Sequence, residues 1–238
     1  MPETHTPPAT RGEHPDPRTR IIAAATELLA HHGPEGVTTR AVAAAAGVQA
    51  PAIYRLFGDK GGLLDAVAEH GLTVYLSDRR TQHPDPDPVE DLRLGWDTHI
   101  EFGLAHPALY SLMYGHPRPG VHSPAEEAAE AHLARRVHRL AASGHLRVNE
   151  RLATDLVRAS GRGTVLTLLA MPEEERDQGL AESAREAMIN AITTEAPAWE
   201  DPSPASAATA LRATLPEATA LTPNERGLLA EWLDRLTS

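Results

Sequence analysis

Cysteine is absent from the 238 residues. That excludes disulfides and cysteine-based metal sites, and makes a reducing, cytoplasmic interior the simplest compartment. Aromatic residues are 4% of a chain that is 41% hydrophobic. The core must therefore come from Leu, Ala, Val and Ile, which suits closely packed helices. No apolar run approaches the ~18 residues of a membrane span, so no membrane segment is expected. The N-terminal MPETHTPPATRGEHPDP lacks the apolar centre of a secretion signal. Alternating strand patterns are nearly missing, and no internal repeat shows. A serine nucleophile elbow, a phosphate-binding glycine loop and paired catalytic carboxylates are all lacking, so neither an enzyme nor a cofactor is expected. The 13 histidines do not supply a metal site. No i, i+4 pair joins a carboxylate, His31 and His32 diverge at a helix end, and His132 and His138 are six apart.

Charge is present but uneven. The net charge is −11, unfavourable for a nucleic-acid partner. Residues 1–60 are balanced, with six basic groups (Arg11, Arg18, Arg20, Arg40, Arg55, Lys60) and six acids. The remaining 16 basic and 27 acidic groups carry the whole excess. A neutral head on an acidic body opposes loose sliding on DNA and favours contact through the head alone.

Local signals predict an all-α chain. Residues 1–15 read as a disordered arm. Asp16 and Pro17 open a first helix with Ile21, Ile22, Ala25, Leu28 and Leu29 on one face, and Gly33-Pro34 closes it with glycine as a left-handed cap. Thr38 caps a second helix to about Ala46, with Val42 and Ala43 inward. Gly47 turns the chain, and a third helix reaches about Phe57. Gly58-Asp59 recaps a longer helix to about Arg80. Alternating prolines in HPDPDP, residues 83–88, forbid helix and mark a linker. Helices are expected again at 89–105, 107–115, 124–143, 149–171, 176–194, 205–215 and 222–237. Ser123 with Glu126, and Thr222 with Glu225, read as capping boxes. The domain reading is an arm at 1–15, a helix-turn-helix head at 16–62, a connecting helix at 63–82 and a larger helical body at 83–238, which the family resemblance given below implies is a ligand-binding and dimerisation domain.

The segment 38–60, TTRAVAAAAGVQAPAIYRLFGDK, parses as two short helices around a glycine turn, the shape that enters a major groove. Helix N-termini offer free amides to phosphate. Thr38, Thr39 and Arg40 sit at one such end and Lys60 at another. The Tyr54 phenol can donate to a phosphate. Gln49, Ala50, Pro51, Ala52 and Arg55 lie on or near the exposed side. Gln49 or Arg55 can pair with base edges, worth about 1–3 kcal/mol of discrimination, and Ala52 can touch a thymine methyl. Val48, Ile53, Leu56 and Phe57 are expected to pack the head, and Arg11, Arg18 and Arg20 to add contacts from the arm.

These residues resemble the tetracycline-repressor (TetR) family of transcriptional regulators over roughly 18–70. The resemblance rests on RTRIIAAATELLAHHG, on TTRAVAAAAGV and above all on AIYRLFGDKGGLL. It implies phosphate contacts for Tyr54 and Lys60, double-stranded DNA as partner and a small-molecule effector of unknown identity. The segment WDTHIEFGLAHPALYSLMYG also resembles a body segment of a family subgroup. Two departures stand out. Gln49 occupies a position where the family commonly has a small hydroxyl cap, so Ala50-Pro51 can start the helix instead. Gly61-Gly62 fills the first turn of the next helix, which points to close packing or a loosened joint.

In the body, Leu92, Trp96, His99, Ile100 and Gly103 form one stripe. Trp96, His99, Tyr110, Met113 and Tyr114 are the candidate ligand residues, with His99 a hydrogen-bonding group. The resemblance further implies that helices 149–171 and 176–194 pair with their copies in a homodimer, matching a palindromic operator. The small residues Ala159, Ser160, Gly161, Gly163 and Thr164 suit close approach. The last forty residues exceed the usual family body and are expected to brace the dimer or cover the pocket. The competing reading is a helical small-molecule-binding or scaffold protein whose head no longer reads DNA.

Overall fold

The computed structural model describes residues 16–77, 84–114, 124–200 and 203–237. Among them are eleven α-helices and no strand, apart from an isolated bridge between Leu146 and Thr193. The chain divides into two compact units, Met1–Val67 and Ala68–Ser238. The expected arm, with Arg11, and the Ser123 half of one capping box lie outside the described residues.

In the first unit, α1 (Pro17–Gly36), α2 (Thr39–Ala46), α3 (Ala50–Phe57) and the first turns of α4 (Lys60–Leu76) enclose an aliphatic core. Ile21, Ala25, Leu29, Val37, Val42, Ile53, Leu63 and Val67 are buried there. Thr38 caps α2, its Oγ1 accepting from the Ala41 amide at 3.1 Å. Gly47 turns in the left-handed conformation, φ 62° and ψ 39°. Asp59 recaps the chain, its Oδ1 accepting from the Gly62 amide at 2.9 Å.

Four expectations need correction. Asp16 occupies the N-cap position of α1 but makes no capping bond, so Pro17 alone marks that start. Gly33 has positive φ (65°) but ψ of −174°, a kink rather than a left-handed cap, and a further turn carries Pro34 on to Gly36. Leu56 is 38% exposed rather than packed. On a helix of two turns it lies about 60° around from the buried Ile53, past the edge of the small core. Helix α4 ends at Leu76, with Ser77 in a turn, while residues 78–80 of the longer helix expected there lie outside the described ones.

Gly62 resolves the question of the glycine pair. A Cβ there would run into the Phe57 carbonyl oxygen, whereas one on Gly61 meets only the Asp59 carboxylate, at 3.1 Å. Gly62→Ala is therefore expected to destabilise the protein by about 1–3 kcal/mol through overpacking. Gly61→Ala should be neutral, or stabilising by up to about 1 kcal/mol. Urea melts of the two variants make the comparison.

In the second unit, α5 (Pro88–Ala105), α6 (Pro107–Tyr114), α7 (Pro124–Ala142), α8 (Glu150–Leu169) and α9 (Gln178–Ile192) form a bundle in which α8 packs against α5, α7 and α9. Its core is aliphatic as composition requires, with Leu92, Val137, Leu140, Leu146, Val165, Leu168, Ile189 and Ile192 buried around Trp96 and Tyr110. Asp87 and Asn149 cap α5 and α8. The last forty residues form α10 (Pro204–Thr214) and α11 (Pro223–Leu236), the latter opened by the Thr222–Glu225 capping box. These two pack on each other, and α10 also packs on α7. Ala213 enters the main core. Asn149 Nδ2 donates to the Thr237 carbonyl at 3.2 Å. The segment thus extends the bundle of its own chain.

Candidate DNA-reading face and effector cluster

The exposed surface of the head collects most of the polar residues singled out in the sequence. Gln49, just before α3, and Pro51, Tyr54 and Arg55 on it are exposed, and Ala50 and Ala52 are half-buried. Tyr54 is 53% exposed, unusual for an aromatic residue with a buried core beside it. Its hydroxyl lies 3.5 Å from Thr39 Oγ1 in the first turn of α2. Two hydroxyls from different helices thus face one small volume next to a helix N-terminus, where free amides favour an anion. Thr38 and Arg40 flank it and are exposed. Lys60 is exposed and donates from Nζ to the Pro34 carbonyl at 3.1 Å. Gln49 makes no capping bond, which leaves its amide available to solvent. Arg18 and Arg20 belong to α1 rather than to an arm, and the Arg18 guanidinium lies 5.6 Å from the Phe57 ring centroid. That contact explains how a half-buried Phe57 is shielded at the domain edge.

In the body the structure brings four of the five candidate ligand residues together. Trp96 and His99 of α5 both lie against Gly161 of α8, with the His99 ring carbon Cδ2 at 3.3 Å from the position of a Cβ there. His99 Nε2 shares a hydrogen bond of 2.9 Å with the Tyr110 hydroxyl. The Tyr110 and Tyr114 ring centroids are 4.7 Å apart, and those of His99 and Tyr110 are 5.5 Å apart. Met113 is half-buried and belongs neither to the ring cluster nor to the main core. Three further members were not singled out by sequence. Tyr75 of α4 meets His99 at 6.0 Å and Phe102 at 5.1 Å. The Arg162 guanidinium lies 4.3 Å from the Tyr114 ring centroid. Arg162 did carry a signal, as the single charge within the small-residue run Ala159 to Thr164.

Burial, seconded by the Arg162 charge, holds His99 well below its ordinary value, at about 4. Burial raises the Tyr110 and Tyr114 phenols. At neutral pH the rings are all uncharged. The unfolded chain, with an ordinary imidazole near 6.5, takes up a proton that folded His99 refuses, so stability falls as pH drops from about 6.5 towards 4 and is unaffected by this residue above that window. The full loss is about 3 kcal/mol. Urea melts at pH 7.5 and 5 should show a larger acid loss for the wild type than for His99→Gln.

Among the described residues, no three His, Asp or Glu side chains group to hold a metal ion. No helix there is long and apolar enough to cross a membrane.

A head built on an exposed second helix defines the helix-turn-helix class. Residues 21–67 match the description of bacterial regulatory proteins, tetR family. The chain is 51% identical over 57 residues to the class C tetracycline repressor protein of Escherichia coli, covering 24% of this chain and 26% of that protein. The HTH-type transcriptional repressor SCO4008 of Streptomyces coelicolor is 32% identical over 124 residues, or 50% of this chain and 60% of its own length. The matches thus span about a quarter to three fifths of these relatives. Among solved structures, a Rhodococcus sp. RHA1 protein of unknown function aligns over 77% of this chain and 98% of its own, with TM-score 0.63 and 24% identity. A TetR variant from Acinetobacter baumannii AYE in complex with minocycline aligns over 71% and 90%, with TM-score 0.55 and 24% identity. The head therefore matches the helix-turn-helix domain of the TetR family of bacterial regulatory proteins over residues 21–67.

Proposed function

We propose that the protein is a cytoplasmic transcriptional repressor that binds a palindromic operator as a homodimer and responds to a small-molecule effector. The observation that carries this reading is the exposed face of α3, where Tyr54 and Thr39 converge and Gln49, Pro51 and Arg55 stand clear of the core. These groups are of the types that touch phosphate and base edges. Dimerisation is supported by α8. Leu152, Ala159, Gly163 and Leu166 lie along one side of it at helical spacing and are exposed, and nothing stands within 4 Å of where a Gly163 side chain would begin. On α9, Ala187 and Ala191 are exposed in the same way. Apolar and small residues left uncovered on neighbouring helices suit an isologous four-helix contact. Effector response is supported by the ring cluster of the body. The relatives named above include a tetracycline repressor and a protein in complex with minocycline. An effector that binds one body state better than another shifts the heads between DNA-competent and incompetent arrangements, and only that difference in affinity drives release.

A mobility-shift assay at low salt on the DNA flanking the protein's own gene tests the reading. A discrete complex, competed by the same fragment and not by unrelated DNA, is the expected result. Absence of any complex with the intact head would leave the helical small-molecule-binding protein as the better description.

A further inference from the structure

The ring cluster has a charge pattern that specifies what it accepts. Three of the chain's four tyrosines (Tyr75, Tyr110 and Tyr114) meet in it with His99 and Phe102. The rest of the bundle core is almost wholly aliphatic, so packing alone does not call for this concentration. The imidazole and both phenols are uncharged at neutral pH. Arg162 supplies a fixed positive charge. It follows Gly161, against which Trp96 and His99 rest, and its guanidinium covers the Tyr114 ring. Its charge also opposes the upward shift that burial gives the Tyr114 phenol, and helps hold His99 down through space. Among the described residues no carboxylate forms an ion pair with Arg162, although Glu126 of α7 also acts on Tyr114 electrostatically. The Trp96 indole N–H is the second unbalanced group. Trp96 is 3% exposed, and its Nε1 has no acceptor among the described residues.

A buried N–H without an acceptor costs about 1–3 kcal/mol, and a cation drawn out of water costs more unless an anion meets it. The cluster and the adjoining Trp96 therefore offer π-faces, a buried donor and a half-buried cation that no carboxylate among the described residues pairs with. We propose that the effector is an organic carboxylate on a flat aromatic or apolar body. Its charged end pairs with Arg162 in the two-pronged geometry guanidinium favours, and its rings stack among Tyr75, Tyr110 and Tyr114. The inference rests on the effector site proposed above and adds its chemical class and Arg162 as the residue that sets it.

Isothermal titration of the full chain without DNA tests this apart from DNA binding. The probes are 2-naphthoate, cinnamate and decanoate, each against its neutral amide. At least one carboxylate should bind about tenfold or more tightly than its amide. Arg162→Met should remove that preference, and Arg162→Lys should keep part of it. Thermal melts establish that both variants are folded. Equal binding of acid and amide, an unchanged acid affinity in Arg162→Met, or no binding of any of the three acids at about 1 mM would overturn the assignment. A protein that binds carboxylates through Arg162 but shifts no DNA would keep this inference and lose the repressor reading.

Discussion

Tyr54→Phe combined with Lys60→Ala is expected to lower affinity for the operator about 100-fold, with the fold intact. A charge-assisted hydrogen bond to phosphate is worth about 1.5–3 kcal/mol, and loss of two such contacts at the lower end of that range gives that factor. The cost to folding should be small, because Tyr54 is 53% exposed and Lys60 holds only a surface carbonyl, that of Pro34. Moving Lys60 onto DNA gives up that neutral bond, about 1 kcal/mol, for a stronger charged one. The Lys60→Ala variant should also flatten the dependence of log affinity on log salt by about one unit. Its loss should be the same on every DNA sequence. Gln49→Ala is expected to differ in kind, relaxing the preference at one base pair by about 1–3 kcal/mol with little change in salt slope. Fluorescence anisotropy across a salt series separates these outcomes. An unchanged affinity in the double variant would mean that the face is solvated surface and nothing more.

Asp91→Ala should be the most damaging single change to the second unit. Asp91 is 1% exposed on the first turn of α5. Its Oδ2 accepts from Arg139 at 2.9 Å, and its Oδ1 faces Arg136 at 3.5 Å and accepts from the Asp85 amide at 3.1 Å. Arg136 also donates to the Asp91 carbonyl at 3.1 Å, and Arg139 to the Asp85 carbonyl at 2.5 Å. One carboxylate thus ties residue 85, before α5, to two arginines of α7. Such a buried ion pair adds little compared with apolar packing, but stripping one partner leaves a buried charge uncompensated, at about 3–5 kcal/mol. For a chain of this size that corresponds to a fall in Tm of roughly 10 °C. Asp91→Asn, which keeps the acceptor and loses the charge, should fall between the two. A calorimetric scan reads both, and an Asp91→Ala melt equal to that of the wild type would show that the arginines find other acceptors.

What the sequence made legible follows from the range of each interaction. Thr38 as a cap, Gly47 as a turn, Pro51 as a helix opener and Thr222–Glu225 as a capping box are decided within four residues, and they stand in the structure as read. Asp16 failed as a cap although its type was right, because cap position and cap bond are separate facts. Leu56 shows that a two-turn helix cannot bury every apolar residue it carries. The stripe on α5 led to Trp96 and His99, and the segment that follows led to Tyr110 and Tyr114. Tyr75, Arg162 and the arginines around Asp91 come from other helices, so their place depends on packing over long sequence separation. No periodicity in one segment announces such partners.

Hydroxyl-radical footprinting of the wild-type protein on its operator is the most direct measurement of the central claim. Two protected tracts on one face of the duplex, about 10 bp between centres and related by a dyad, are the result the account predicts, both fading in the Tyr54→Phe/Lys60→Ala protein. A single unpaired tract, or protection that survives in that variant, would contradict it.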